Sequence, residues 1–131
     1  MMPNYWMSPE TNSINRLGML NIEHFETISL DGIWRFQLLN NPKEDLRKRW
    51  STIPVPGLWT MQPTSEVFFD KPIYTNVQMP WDHIAPEVPE NNPTGVYERD
   101  FEIPSSWDSK RIVLHLGGYE SVALIKVNGI E

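Results

Sequence analysis

Apolar and polar positions alternate with period two at several places along this chain, the signature of strands with one face in a core. Ile33-Trp34-Arg35-Phe36-Gln37-Leu38 puts Trp34, Phe36 and Leu38 on one face. Ile28-Ser29-Leu30 leads into it through Asp31-Gly32, a turn signal. Residues 51–55 make a short strand closed off by Pro54 and Pro56. Residues 96–103 (VYERDFEI) set Tyr97, Phe101 and Ile103 against Glu98, Asp100 and Glu102, and Pro104-Ser105-Ser106-Trp107 breaks the run. Residues 110–116 (KRIVLHL) align Ile112, Leu114 and Leu116, Gly117-Gly118 turns the chain, and residues 121–127 (SVALIKV) form the next strand. Asn128-Gly129 is the strongest short hairpin signal, yet only Ile130 and Glu131 follow it, so the expectation is a sheet interrupted by the chain end.

One helix start stands among these strands. Asn41 suits an N-cap, Pro42 the first helical position, and Glu44 can bond back, while Arg47, Lys48 and Arg49 suit the negative end of the dipole. The three basic residues resemble an anion site, but a solvated helix end accounts for them more simply. The pattern therefore predicts an all-β chain with one short helix.

Between Val55 and Val96 the chain carries Pro56, Pro63, Pro72, Pro80, Pro86, Pro89 and Pro93. Proline fixes φ and removes a donor, so this stretch is neither a central strand nor a long helix. Trp59, Phe68, Phe69, Tyr74 and Trp81 stand between the prolines, whereas disordered segments are poor in aromatics. An ordered excursion anchored by aromatic side chains is expected, and loops of this length in compact domains usually carry function. Residues 1–26 form an arm without steady periodicity; Asn15-Arg16-Leu17-Gly18 has the composition of a turn, and Tyr5 and Trp6 could dock elsewhere.

Composition narrows the chemistry. In 131 residues, 11 basic against 17 acidic side chains leave a net charge of −6, which disfavours nucleic acid and anionic lipid as partners. No cysteine is present, which removes disulfides and thiolate chemistry. No window reaches the roughly 18 uninterrupted apolar residues of a membrane span, and no basic-then-apolar leader opens the chain, so a cytoplasmic setting without a membrane partner is the expectation.

Catalytic patterns are thin. Glu98, Asp100 and Glu102 share a face, but acid–base work needs one of them buried, and a face of like charges is normally solvated. His24, His83 and His115 lack metal-ligand spacing, and Asp82-His83 is a pair of loop neighbours. Gly117-Gly118 lacks the rest of a phosphate loop, and no serine sits in a nucleophile elbow. What remains suits a sugar: Trp59 and Trp81 to stack, and Asn76, Asn91 and Asn92 to meet hydroxyls, all in loops. The competing reading is that both tryptophans pin the excursion to the sheet.

Several phrases, taken in order, resemble the opening of family 2 glycoside hydrolases: LDGIWRF from Leu30, VPGLW from Val55, PIYTNV from Pro72, NPTGVY from Asn92, GGYES from Gly117 and VNG from Val127. PIYTNV followed by NPTG is similar to the large bacterial β-galactosidases, and Asn15-Arg16-Leu17 to their N-terminal phrase. Gly18 stands where proline is common, and residues 122–126 lack an aromatic pair that many relatives carry. The resemblance implies a partial jelly-roll (galactose-binding-like) β-sandwich over residues 27–131 behind the arm at 1–26. It further implies a parent with Ig-like and (β/α)₈ domains and retaining hydrolysis by two barrel glutamates. In that parent, magnesium and a monovalent cation, a galactoside substrate, the remaining domains and a homo-oligomer would be the partners. The fragment itself is expected to hold no cofactor, no catalytic residue and no activity. The resemblance maps one substrate-binding residue onto this chain, Asn92. A standalone carbohydrate-binding module and an oligomerisation or complementing segment are the alternatives.

Overall fold

The computed structural model describes residues 7, 8, 10, 13–16, 26–62, 69–77, 80, 81, 84 and 86–131. Trp6, Leu17, Gly18, His24, Phe68 and the Asp82-His83 pair lie outside them. The fold is all-β, as the alternation predicts, and its sheet is antiparallel. Strands β1 (Gly32–Leu39), β2 (Ser51–Val55) and β3 (Thr94–Glu98) lie in the order β2-β1-β3. Trp34 pairs with Ile53 on one side of β1, and Phe36 pairs with Tyr97 on the other. Pro54 is tolerated because β2 is an edge strand, where a missing N–H interrupts no second ladder.

The core gathers around Phe36, which is fully buried together with Ile53 and Leu39. Phe69 meets the Phe36 ring edge-on at 4.6 Å between centroids, Tyr97 lies tilted at 4.8 Å, and Trp59 stacks at 6.3 Å. Trp59 and Phe69 both come from the proline-rich stretch, so the aromatic anchoring expected of it is observed. Trp59 opens a single 3₁₀ turn, Trp59–Met61. Gly95 makes this packing possible: a Cβ there would sit 2.8 and 2.9 Å from two Trp59 ring carbons and 3.0 Å from a Phe36 ring carbon.

Four sequence-based expectations are corrected. The helix over 41–49 is a turn. Lys43 N–H donates to the Asn41 Oδ1 at 2.9 Å and Glu44 N–H to the Asn41 carbonyl at 3.2 Å, so the start is made. The helix then fails to propagate, because Arg47 N–H donates to Gln37 Oε1 at 2.7 Å rather than to an intrahelical carbonyl. Leu46 stays exposed, so no apolar face offsets the cost of nucleation. That same bond explains why Gln37, placed outward by alternation, is buried: residues 41–50 fold back towards it.

Residues 28–31 do not return as a hairpin strand. Arg99 instead donates to the Leu30 and Asp31 carbonyls at 2.8 and 2.9 Å, and Trp34 Nε1–H donates to Leu30 at 2.7 Å. The Arg99 guanidinium lies over the Trp34 ring at 5.9 Å, and its departure to make this clasp ends β3 before residue 103. Beyond it, Phe101 and Ile103 are exposed, and the 3₁₀ turn Ser105–Trp107 falls where the Pro104 break predicts.

Residues 110–116 and 121–127 form no ladder. The alternation is present in the sequence, but a strand also needs a neighbour for its backbone groups, and no described residue supplies one. Every residue from 108 to 131 is exposed, Ile112, Leu114, Leu124 and Ile125 among them. The Asn128-Gly129 turn does form, with φ of 51° and 79°, closed by Val127 N–H to Ile130 O at 2.8 Å and the reverse bond at 3.0 Å. Further back, Glu26 accepts from Trp107 Nε1 and Lys110 Nζ, each at 2.7 Å, and these two partners hold its carboxyl below the ordinary glutamate range, Lys110 most strongly.

Two outcomes follow from this packing. Gly95→Ala should lower the urea midpoint by an amount worth about 1–3 kcal/mol, read by tryptophan fluorescence, because rings must move. Gly118→Ala, where an added Cβ meets nothing within 4 Å, should stay within about 0.5 kcal/mol. The bare apolar run at 110–130 should drive concentration-dependent self-association in sedimentation velocity. The double change Ile112→Lys and Leu124→Lys should restore a monomer; an unchanged oligomer distribution would exclude this run as the contact.

Candidate functional site

The site is built at the end of β1 that faces away from the Arg99 clasp. Leu39 pairs with Thr94, and one step further Asn92 N–H donates to the Asn40 carbonyl at 2.8 Å, extending the β1–β3 ladder. Thr94 Oγ1 donates to the Asn92 carbonyl at 2.9 Å. Both backbone groups of Asn92 are thus engaged, and Pro93 holds the preceding backbone extended. The half-buried Asn92 keeps a side-chain amide with no hydrogen-bond partner among the described residues.

Asn40 is itself held. Its backbone N–H donates to Glu44 Oε2 at 2.9 Å and its Nδ2 to Glu44 Oε1 at 2.6 Å. The backbone bond, then the side-chain bond, hold the Glu44 carboxyl below the usual carboxylate range, with Arg47 at 3.3 Å adding to them. Glu44, Asn40 and Asn92 form one chain of contacts from the 41–44 turn to the candidate residue.

Two cavities share Asn91 and Pro93 in their walls. The smaller, about 290 Å³, is walled by Trp81, Ile73 and Pro89 and edged by Asn91, Asn92 and Glu87. The larger, about 610 Å³, is lined by Gln37, Asn40, Arg47, Arg49 and Asp70 among others. Gln37 Nε2 is buried without a partner among the described residues.

The sequence-derived sugar inventory divides here. Trp81, Asn91 and Asn92 line one groove. Trp59 does not join them; it packs on Phe36 and Gly95, so for this tryptophan the anchoring reading holds. Asn76 donates to the Tyr74 hydroxyl at 3.0 Å on an exposed stretch and is absent from the groove wall. Glu87 and Ile73 were not singled out by residue type. Glu87 lies between Pro86 and Pro89, and its N–H closes a turn onto Ile84 O at 3.0 Å, so the paired prolines are the signal for a turn that holds its backbone there. Among the acidic face residues, Glu98 pairs with Arg35 at 2.5 Å with both side chains about half exposed, which is the solvated reading. No group of three or more His, Asp or Glu side chains converges among the described residues. No helix among the described residues is long and apolar enough to cross a membrane.

Comparison with known proteins places the sheet and its loop in a class. The family described as glycosyl hydrolases family 2, sugar binding domain, matches residues 27–131, and the chain belongs to that family. Among similar proteins, a β-galactosidase of Psychromonas ingrahamii is 38% identical over 112 residues, covering 77% of this chain and 10% of the relative. A β-galactosidase of Kluyveromyces lactis is 40% identical over 111 residues, covering 77% of this chain and 11% of the relative. One from an Arthrobacter species is 33% identical over 129 residues, covering 80% and 12%. The chain thus spans about a tenth of the length of the curated relatives it matches. No solved structure matches it.

The Glu44 contacts generate a pH test. A carboxyl whose folded pKa is depressed contributes stability above its unfolded pKa and loses it as pH falls through the folded value. Acidification below the ordinary glutamate range should therefore shift the Asn40 and Asn92 amide resonances together, with one midpoint. Glu44→Gln should abolish the transition; persistence of it in that variant would assign it to another group.

Proposed function

We propose that this chain is the sugar-binding N-terminal part of a β-galactosidase, a retaining glycosidase acting on terminal non-reducing β-D-galactose. In this reading Asn92 lends its amide to the galactosyl group, and the acid and nucleophile stand on a barrel elsewhere in the parent. A cytoplasmic, homo-oligomeric parent using magnesium and a monovalent cation completes the proposal. The observation that carries it is the free carboxamide of Asn92 on a backbone tied at both ends. An asparagine offers a donor and an acceptor at once, which suits two neighbouring hydroxyls of one ring. The fixed backbone means that binding need not order the loop, so less of the contact is lost to entropy. A second reading, a complementing segment that docks on the rest of a larger assembly, draws on the exposed apolar run at 110–130.

Residues 1–131 alone should show no turnover of a chromogenic galactoside, because in this reading the acid and nucleophile stand on a barrel elsewhere in the parent. In a β-galactosidase carrying this chain, Asn92→Ala should lower galactoside kcat/KM by about 10- to 100-fold, a lost polar contact of about 1.5–3 kcal/mol, with Tm unmoved. Full kcat/KM with a lowered Tm would make Asn92 a turn cap and overturn the assignment.

A further inference from the structure

We propose that the larger cavity is a binding site for the carboxylate of a small organic monoanion, held by Arg47 and Arg49 beside the buried carboxamide of Gln37. Asn92 is absent from its wall, so the site stands apart from the sugar reading. The run Arg47-Lys48-Arg49 has the composition of an anion site. In a helix it would serve the negative end of the dipole, but no helix forms there. Arg47 and Arg49 instead stand in the cavity wall, and Lys48 between them does not. Arg49 has no hydrogen-bond or ion-pair partner among the described residues. Arg47 meets Glu44 at 3.3 Å with its own side chain half exposed, which leaves most of its fork unused.

Gln37 supplies an independent observation. It is 5% exposed and lies in the same wall; Arg47 N–H occupies its Oε1, yet its Nε2 has no partner among the described residues. A buried donor without an acceptor is costly and calls for a group that satisfies it. Nε2 is covered by its neighbours, and the exposed arginine side chains are the part of the wall that moves aside when a ligand enters. Two guanidinium forks and this amide N–H present donors only, which suits an ionised carboxylate, a group that only accepts. Charge sets the valence. Two arginines and Asp70 leave the wall with one positive charge, and Asp70 already accepts from Lys71 N–H at 2.8 Å. A single carboxylate balances that charge, whereas a dianionic phosphate monoester would exceed it beside Asp70. Leu39 and Phe69 make part of the wall apolar, so the body behind the carboxylate is apolar too. The volume of about 610 Å³ falls within the roughly 300–1,000 Å³ of small-molecule sites and admits a ring-sized molecule.

The test titrates the 131-residue chain with sodium benzoate, with benzyl alcohol as its neutral counterpart and sodium chloride at matched ionic strength, and reads amide NMR. Benzoate should shift the Gln37 carboxamide and Arg49 amide resonances saturably, and neither the alcohol nor the chloride should do so. Arg49→Gln should weaken benzoate binding by about tenfold or more, Arg49→Lys by less, and Lys48→Gln not at all. Gln37→Glu keeps an acceptor for Arg47 N–H, replaces the free donor with an anion, and should abolish binding. No saturable shift in the native chain, an equal shift with chloride, or equal losses in Lys48→Gln and Arg49→Gln would overturn the site. A second arm separates a free monocarboxylate from an acidic side chain of the parent. In a β-galactosidase carrying this chain, benzoate should raise Tm where the cavity stands open. Where a side chain of the parent fills it, benzoate should leave Tm unmoved, and Arg49→Gln but not Lys48→Gln should lower it. A Tm unmoved by benzoate and by Arg49→Gln alike would overturn the site in either form.

Discussion

The closeness of Gly95 to the Trp59 and Phe36 rings is the constraint on which the rest depends. Phe36 sits in the middle strand and is the side chain around which Trp59, Phe69 and Tyr97 collect. Trp59 and Phe69 come from the long connection, Tyr97 from β3. One ring thus ties the sheet to the loop that carries the site. A side chain at residue 95 would wedge these surfaces apart, since the space is already filled to contact distance. The glycine is needed here for its lack of volume.

From that junction the site follows by short steps. β1 and β3 run out of sheet at Leu39 and Thr94, and the next backbone bond belongs to Asn92 and Asn40. Glu44 holds Asn40 from the far side with two bonds. The helix that the sequence starts at Asn41 would have used the Arg47 N–H internally; by giving it to Gln37 instead, the segment lies against the sheet end. A failed helix thereby becomes part of the support for a loop residue.

Legibility in the sequence follows the range of the interaction involved. β1 and β2 were readable because alternation and proline are local signals, and β2 matches its expected bounds at Ser51 and Val55. The Asn128-Gly129 turn was readable for the same reason, since two residues determine it. What alternation could not reveal is whether a neighbour exists. Residues 110–116 carry a clean strand pattern and pair with nothing described, because pairing is a property of two segments. The burial of Gln37 and the Arg99 clasp were hidden likewise, each set by a partner distant in sequence. In the site, residue type flagged Trp81, Asn91 and Asn92, but could not separate Trp81 from Trp59; only the filled space around Phe36 does that.

The order β2-β1-β3 has a consequence for how such a chain can change. β2 and β3 are not hydrogen-bonded neighbours; both are registered against β1, and the chain from Pro56 to Pro93 is a closed excursion between them. The entropy of closing a flexible loop grows only with the logarithm of its length, about 0.6 kcal/mol for each doubling. Beyond the anchors Trp59 and Phe69, residues can be inserted or removed with little penalty to strand registry. The segment bearing Trp81 and Glu87 is therefore free to be rewritten at nearly constant stability, while Asn92, two residues from β3, is not. Divergence in this lineage should accumulate on the Trp81 side of the groove and spare the side that the β1–β3 ladder holds, so that one edge of the groove is inherited with the sheet while the other is written anew.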